Sequence, residues 1–180
     1  MLGRLFRGKP QPEAASGAAG TLAQAYAHHQ AGRLAQAQAG YEAVLALEPR
    51  NATALHMRGV LALQAGSNED AAQWIARAIE AAPSDPGARN NLGEARRRLG
   101  RLPEAIECFR AAIAIAPHYA DAHFNLGGAL RRLGRNEDAL QSYRSAVSLK
   151  PSFPEAHLGL GETLIVLGRP AQAIEALQAA

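Results

Sequence analysis

An all-α solenoid of five stacked helical hairpins is the fold this sequence predicts, and three interleaved residue series predict it. Pro49, Pro83, Pro117 and Pro151 stand 34 residues apart. Gly32, Gly66, Gly100, Gly134 and Gly168 repeat at that spacing, and so do Ala37, Ala71, Ala105, Ala139 and Ala173. A fixed period of this length marks a chain made of copies of one supersecondary unit, each burying its apolar face against its neighbours. With the proline at position 32, the units run 18–51, 52–85, 86–119, 120–153 and, shortened, 154–180. Residues 1–17, rich in Gly, Pro, Ala and Ser towards their end, read as a flexible leader.

Within a unit, glycine at position 15 ends a first helix, because only glycine takes the left-handed C′ conformation without strain. A second helix begins about three residues later. Its start is marked by Asn68-Glu69-Asp70 and Asn136-Glu137-Asp138, where Asn is expected to cap and the acids to complement the helix dipole, and by Pro103 in the third unit. The proline at position 32 stops it. Tyr41, Ile75, Phe109, Tyr143 and Leu177 give each second helix one large side chain, and the periodic alanines sit four residues earlier on the same face. Gly59, Gly93, Gly127 and Gly161, with Ala25 in the first unit, allow the paired helix to approach closely. Positions 4, 7, 8 and 11 of each first helix are thereby assigned to packing, and positions 2, 5, 6, 9, 12 and 13 to an outward face. Arg96, at packing position 11, is the exception, its stem expected to run past the core.

Composition narrows the function. The 180 residues carry 48% hydrophobic and only 5% aromatic side chains, with a formal net charge of +3. That charge is too mild for a nucleic-acid binder, and the arginine steps lack interleaved aromatic platforms. No apolar run reaches the roughly 18 residues of a membrane span. Arg4 and Arg7 break the N-terminal apolar residues, so no secretory signal is read, and a cytoplasmic, non-membrane protein is expected. The bias of 17 Arg to 2 Lys fits a GC-rich bacterial source. Cys108 stands alone and reads as a structural thiol. The six histidines show no metal-ligand spacing, the glycines form no phosphate-binding fingerprint, and no nucleophile, base and oxyanion site converge. The expectation is a protein without cofactor, metal or catalytic activity.

The pattern Gly-x4-Ala-x6-Ala-x4-Pro, preceded by Asn-Leu-Gly in units three and four, resembles the tetratricopeptide repeat (TPR) over residues 18–180. The resemblance implies a right-handed superhelix whose first helices line a concave groove that holds an extended peptide or partner helix. Asn90-Asn91-Leu92-Gly93 and Phe124-Asn125-Leu126-Gly127 most resemble repeats in the arm of O-GlcNAc transferases. In such arms Asn at position 6 forms a ladder along the groove; here Asn91 and Asn125 supply two rungs, and an amide can pair bidentately with a peptide backbone. Arg97, Arg98, Arg131 and Arg132, at positions 12 and 13, offer clamps for carboxylates or phosphates. With Asn90, Glu94 and Phe124 they make the candidate groove, and its expected occupant is an acidic protein segment. The Lys and Asn that a chaperone carboxylate clamp requires are lacking from the first two units.

Two further roles follow from the sequence. Trp74, packed between units or exposed on the outer surface, and the bare apolar edge of Ile174 and Leu177 are candidates for self-association. An uncapped last unit also fits the substrate-recognition arm of a longer transferase, a glycosyltransferase or sulfotransferase whose catalytic domain lies elsewhere.

Overall fold

The computed structural model describes residues 12–180 as ten consecutive α-helices: α1 (Pro12–Gln30), α2 (Leu34–Leu47), α3 (Ala52–Gln64), α4 (Asn68–Ala81), α5 (Pro86–Arg98), α6 (Leu102–Ile115), α7 (Ala120–Arg132), α8 (Asn136–Leu149), α9 (Pro154–Val166) and α10 (Pro170–Gln178). They pair as five antiparallel hairpins, and each hairpin stacks on the next. The first helices α3, α5, α7 and α9 also approach one another from unit to unit, whereas the second helices make no comparable contact among the described residues. The stack therefore curves, with odd-numbered helices on its inner side and even-numbered helices splayed on its outer side. The leader expected over residues 1–17 lies outside the described residues as far as residue 11. Its last six residues instead belong to α1, whose Glu13-Ala14-Ala15 stretch favours helix.

Each hairpin turn is the same device. Gly100, at φ 77°, bonds back to Arg97 O at 3.1 Å while Arg101 N reaches Arg96 O at 2.9 Å. This double closure of the last turn is a Schellman motif, and it recurs at Gly32, Gly66, Gly134 and Gly168. Leu102 N then bonds to Gly100 O at 2.9 Å across Arg101 (φ −80°, ψ 62°), an inverse γ-turn that leads directly into the second helix. That geometry corrects the capping expectation. The residues before α4 and α8 are Ser67 and Arg135, neither of which caps the helix through its side chain, and Asn68 and Asn136 are already the first helical residues. Side-chain caps occur instead on first helices: Asn51 Oδ1 accepts from Ala54 N at 3.0 Å, and Asp85 Oδ1 accepts from Gly87 N and Ala88 N at 2.8 and 3.1 Å.

The core is layered by the repeat. Ala37, Ala71, Ala105 and Ala139 are fully buried, and Ala173 nearly so, with Tyr41, Ile75, Phe109 and Tyr143 packed beside them. A Cβ added at Gly93 would stand 2.5 Å from the Phe109 ring, and one at Gly159 would stand 2.7 Å from Tyr143, which also lies against Gly127. The aromatic rings thus lie directly on the neighbouring helix backbone. In the first hairpin the close approach is shared differently, with Ala25 against Gly40.

Candidate functional site

The inner surface is built from the outward positions of the odd-numbered helices, and there the structure departs most from a reading of isolated units. Side chains of one unit reach residues 35 positions earlier in the chain. Asn91 Nδ2 lies 2.9 Å from His56 Nε2, and Asn125 Nδ2 donates to Asn90 Oδ1 at 3.0 Å. Arg98 Nη1 donates to Leu63 O at 2.9 Å, and Arg132 Nη1 to Arg97 O at 3.3 Å. In both arginine contacts the guanidinium adds a second donor to a carbonyl in the last turn of the preceding first helix, one already accepting from the glycine N–H of the turn, Gly66 or Gly100. Position 6 thus clasps position 5 of the unit before it, and position 13 clasps position 12.

Asn90 is consequently not an outward groove residue: it is 5% exposed, closed over by Asn125. Asn91 and Asn125 remain half-buried on the inner face. Each uses its Nδ2 on the preceding unit, so neither is a free bidentate rung. Phe124, also half-buried, is tied into the core by ring contacts with Tyr143 at 5.9 Å and Phe153 at 5.0 Å.

Glu94 organises the arginines of α5. Its carboxylate accepts from Arg97 Nε and Nη2 at 2.7 and 2.8 Å and from Arg98 Nε at 2.6 Å. Burial pushes the Glu94 carboxyl up, but the bonds and charges of the two arginines outweigh it and hold it below the ordinary carboxylate range. Arg131 pairs with Glu162 at 2.8 Å. Four guanidiniums against two carboxylates leave the patch at +2, with Arg98 and Arg132 exposed and Arg97 and Arg131 half-buried. A guanidinium carries five donors, so each of the four keeps donors beyond its internal partners.

His56, which sequence reasoning did not single out beyond its outward position, joins this surface to the helix cap below it. Its Nδ1 lies 3.3 Å from Asp85 Oδ2, the carboxylate that also caps α5. Burial lowers the His56 pKa below 6.5, although Asp85 opposes the shift. The two bonds fit one neutral tautomer, with Nδ1–H donating to Asp85 and Nε2 accepting from Asn91. The signal available in the sequence was the 35-residue separation of His56 and Asn91, which has no meaning until the units are stacked.

Outside the groove, Arg96 lies partly buried with Nη1 3.2 Å from Cys108 Sγ and Nε 3.4 Å from Glu104. Burial raises the Cys108 pKa, with Arg96 opposing. His123 and His157 each place Nε2 about 3 Å from the carbonyl of the proline six residues earlier, at 3.0 and 2.9 Å. Trp74 is half-buried between the guanidiniums of Arg58 and Arg77, 5.3 and 4.6 Å from its ring. Ile174 is 57% exposed, while Leu177 is 38% exposed and packs against Gly161. Among the described residues there is no group of three or more His, Cys, Asp and Glu suited to hold a metal, and no helix long and apolar enough to cross a membrane.

Tetratricopeptide-repeat family models match residues 22–86 and 90–154, and a second such model matches residues 130–180. The chain belongs to the tetratricopeptide-repeat family. A search of curated proteins finds no match. Among solved structures, the chain is similar to MamA, with a TM-score of 0.79 at 24% identity over 86% of this chain and 91% of that one. It is also similar to MamA from Desulfovibrio magneticus RS-1 (TM-score 0.81, 18% identity, 94% of each chain). A third likeness is to YrrB, described as a TPR protein with an unusual peptide-binding site (TM-score 0.73, 21% identity, 88% of this chain and 82% of that one). Likeness at these identities establishes the shared all-α solenoid.

Proposed function

We propose that this TPR chain is a non-catalytic interaction scaffold whose inner groove binds an extended, acidic segment of another protein. The observation that carries the proposal is the cluster Arg97, Arg98, Arg131 and Arg132, ordered by Glu94 and Glu162 on the concave face with a surplus of two positive charges. Pre-paired guanidiniums lose less side-chain entropy on binding than free ones, so a carboxylate meets donors already held in place. Asn91 and Asn125 border the cluster with carbonyl oxygens that can accept from a peptide N–H. The description of YrrB as peptide-binding supports the same class of ligand.

The test is binding of fluorescently labelled Glu/Asp-rich peptides, followed by anisotropy as salt is raised. Affinity should fall with ionic strength and be lost when all four arginines are changed to Glu. Binding indifferent to both would refute the proposal. The likeness of units three and four to O-GlcNAc-transferase arms gives a second reading, in which the same groove presents a substrate to a transferase domain. The recurrence of Asn-Leu-Gly at Asn91-Leu92-Gly93 and Asn125-Leu126-Gly127 favours it.

A further inference from the structure

The arginine cluster occupies the third and fourth units, yet the inner surface continues past it in a different chemistry. Between α1 and α3 lies a cavity of about 310 Å³ lined by Leu22, Ala23, Tyr26, Thr53 and Met57 over the buried Tyr41. Its wall is almost wholly apolar. Leu22 and Met57 are half-buried against Ala25, Tyr41 and Leu61, whereas Tyr26 is 48% exposed. Ala23 and Met57 occupy position 6, the register that Asn91 and Asn125 hold further along, so the pocket and the polar groove are parts of one continuous face. An apolar cavity of about 150 Å³ already admits a benzene ring. At the opposite end of the array Leu158, Ile165 and Val166 are exposed, and the cavity beside them is lined instead by His157, Leu160, Leu164, Gln172 and Glu175, a wall that includes charged and polar groups.

We infer that the bound acidic segment carries an aromatic or bulky aliphatic anchor that fills this pocket while its carboxylates meet the arginines. The inference rests on the groove reading above and adds the anchor and its spacing. The pocket wall has no charge to select a partner, but the adjoining +2 patch does: the occupant must be apolar at one end and acidic at the other. From the α1–α3 pocket to the arginines of α5 and α7 is two helix-to-helix steps of about 8–10 Å each. A further displacement of six positions along the helix axis, at about 1.5 Å each, separates position 6 from position 12. Together these give roughly 20 Å, which an extended chain crosses in about six residues at about 3.3 Å apiece.

The experiment uses the full chain and labelled 16-residue peptides holding a Glu-Glu pair and a single Phe placed four, six or eight residues away on either side. The control carries Ala in place of Phe. Anisotropy should show one side and a spacing near six binding about tenfold tighter than the control, the effect of burying one aromatic side chain. The gain should vanish in Met57→Lys and Tyr26→Ala, both at partly exposed positions, and the variants should remain folded, with cooperative melts shifted only slightly from the parent. The control peptide's salt-dependent binding should stay the same in Tyr26→Ala, which changes no charge, and should not weaken in Met57→Lys. If Phe adds nothing at any spacing while salt-dependent binding persists, the anchor is refuted and the groove reading stands. If no acidic peptide binds, the anchor falls together with the groove reading. Concentration-dependent self-association abolished by Met57→Lys, with no Phe preference, would overturn the inference in favour of a second copy of this chain.

Discussion

At position 6 of the first helix the first two units carry Ala23 and Met57, where the third and fourth carry Asn91 and Asn125. At position 13, Gln64 meets the His29 ring at 3.0 Å, an exposed side-chain contact, where Arg98 and Arg132 reach instead for backbone carbonyls of the preceding helix. The backbone is the same in both regions, closed by the same glycine motif and packed on the same buried alanines. The difference in polarity lies on the inner face. A solenoid separates these tasks because its hairpin interfaces depend on a fixed subset of positions. The rest are free to make one stretch of groove apolar and the next polar and cationic.

The comparison can be broken most decisively at the middle of the groove. Changing Arg97, Arg98, Arg131 and Arg132 to Glu turns a +2 patch strongly negative. Since each charge-assisted bond is worth about 1.5–3 kcal/mol, acidic-peptide affinity should drop by at least about a hundredfold in anisotropy. Uncharged substitutions in the apolar pocket, such as Tyr26→Ala, should leave the salt dependence of that binding intact.

A smaller effect separates the two kinds of clasp. Asn125→Ala leaves the buried Asn90 oxygen without its donor and should cost about 1–3 kcal/mol in urea denaturation. Gln64→Ala removes an exposed contact and should cost no more than about 0.5 kcal/mol. Equal costs would mean that the polar middle is held no more tightly than the apolar end.

The His56 clasp adds a pH dependence. Because its pKa is lowered on folding, the unfolded chain binds the proton more readily. The neutral-state stabilisation is therefore complete above pH 6.5 and is lost as pH falls from there towards the folded pKa. One proton gives a slope of at most about 1.4 kcal/mol per pH unit. Comparing pH-dependent melts of the parent and His56→Gln should show that slope diminish in the variant. Glu94 acts at lower pH: its carboxyl lies below the ordinary range, so its contribution is present above the unfolded pKa and fades only as pH drops through the folded one. The smallest effect is expected from Met57→Asn. It places an amide opposite Leu22, which has no side-chain acceptor, and should shift the melting temperature down only slightly.

Most of the fold was legible in the sequence because it is local. The glycine at each turn, the alanine between paired helices and the proline after the second helix act within one unit, and their period counts the units. Capping misled where a local rule met a competing local geometry: Asn68 resembles a cap, but the γ-turn after Gly66 starts the helix one residue too early for it. The groove was legible as a list of positions and not as an arrangement. Asn90 reads as outward on its own helix and is buried by Asn125, and Arg98 and Arg132 read as free cations and are bonded to the unit before.

The periodic residues alone determined that this chain forms paired helices, in which order, and which positions meet within a hairpin, since those contacts lie within a single unit. Only stacking decided which polar groups remain available on the inner face. Neighbouring units settle one position out of step, so that position 6 lies over position 5 and position 13 over position 12 of the unit before. No spacing rule within a single helix carries that offset, because it is set by how the aromatic and alanine layers of successive hairpins fit together.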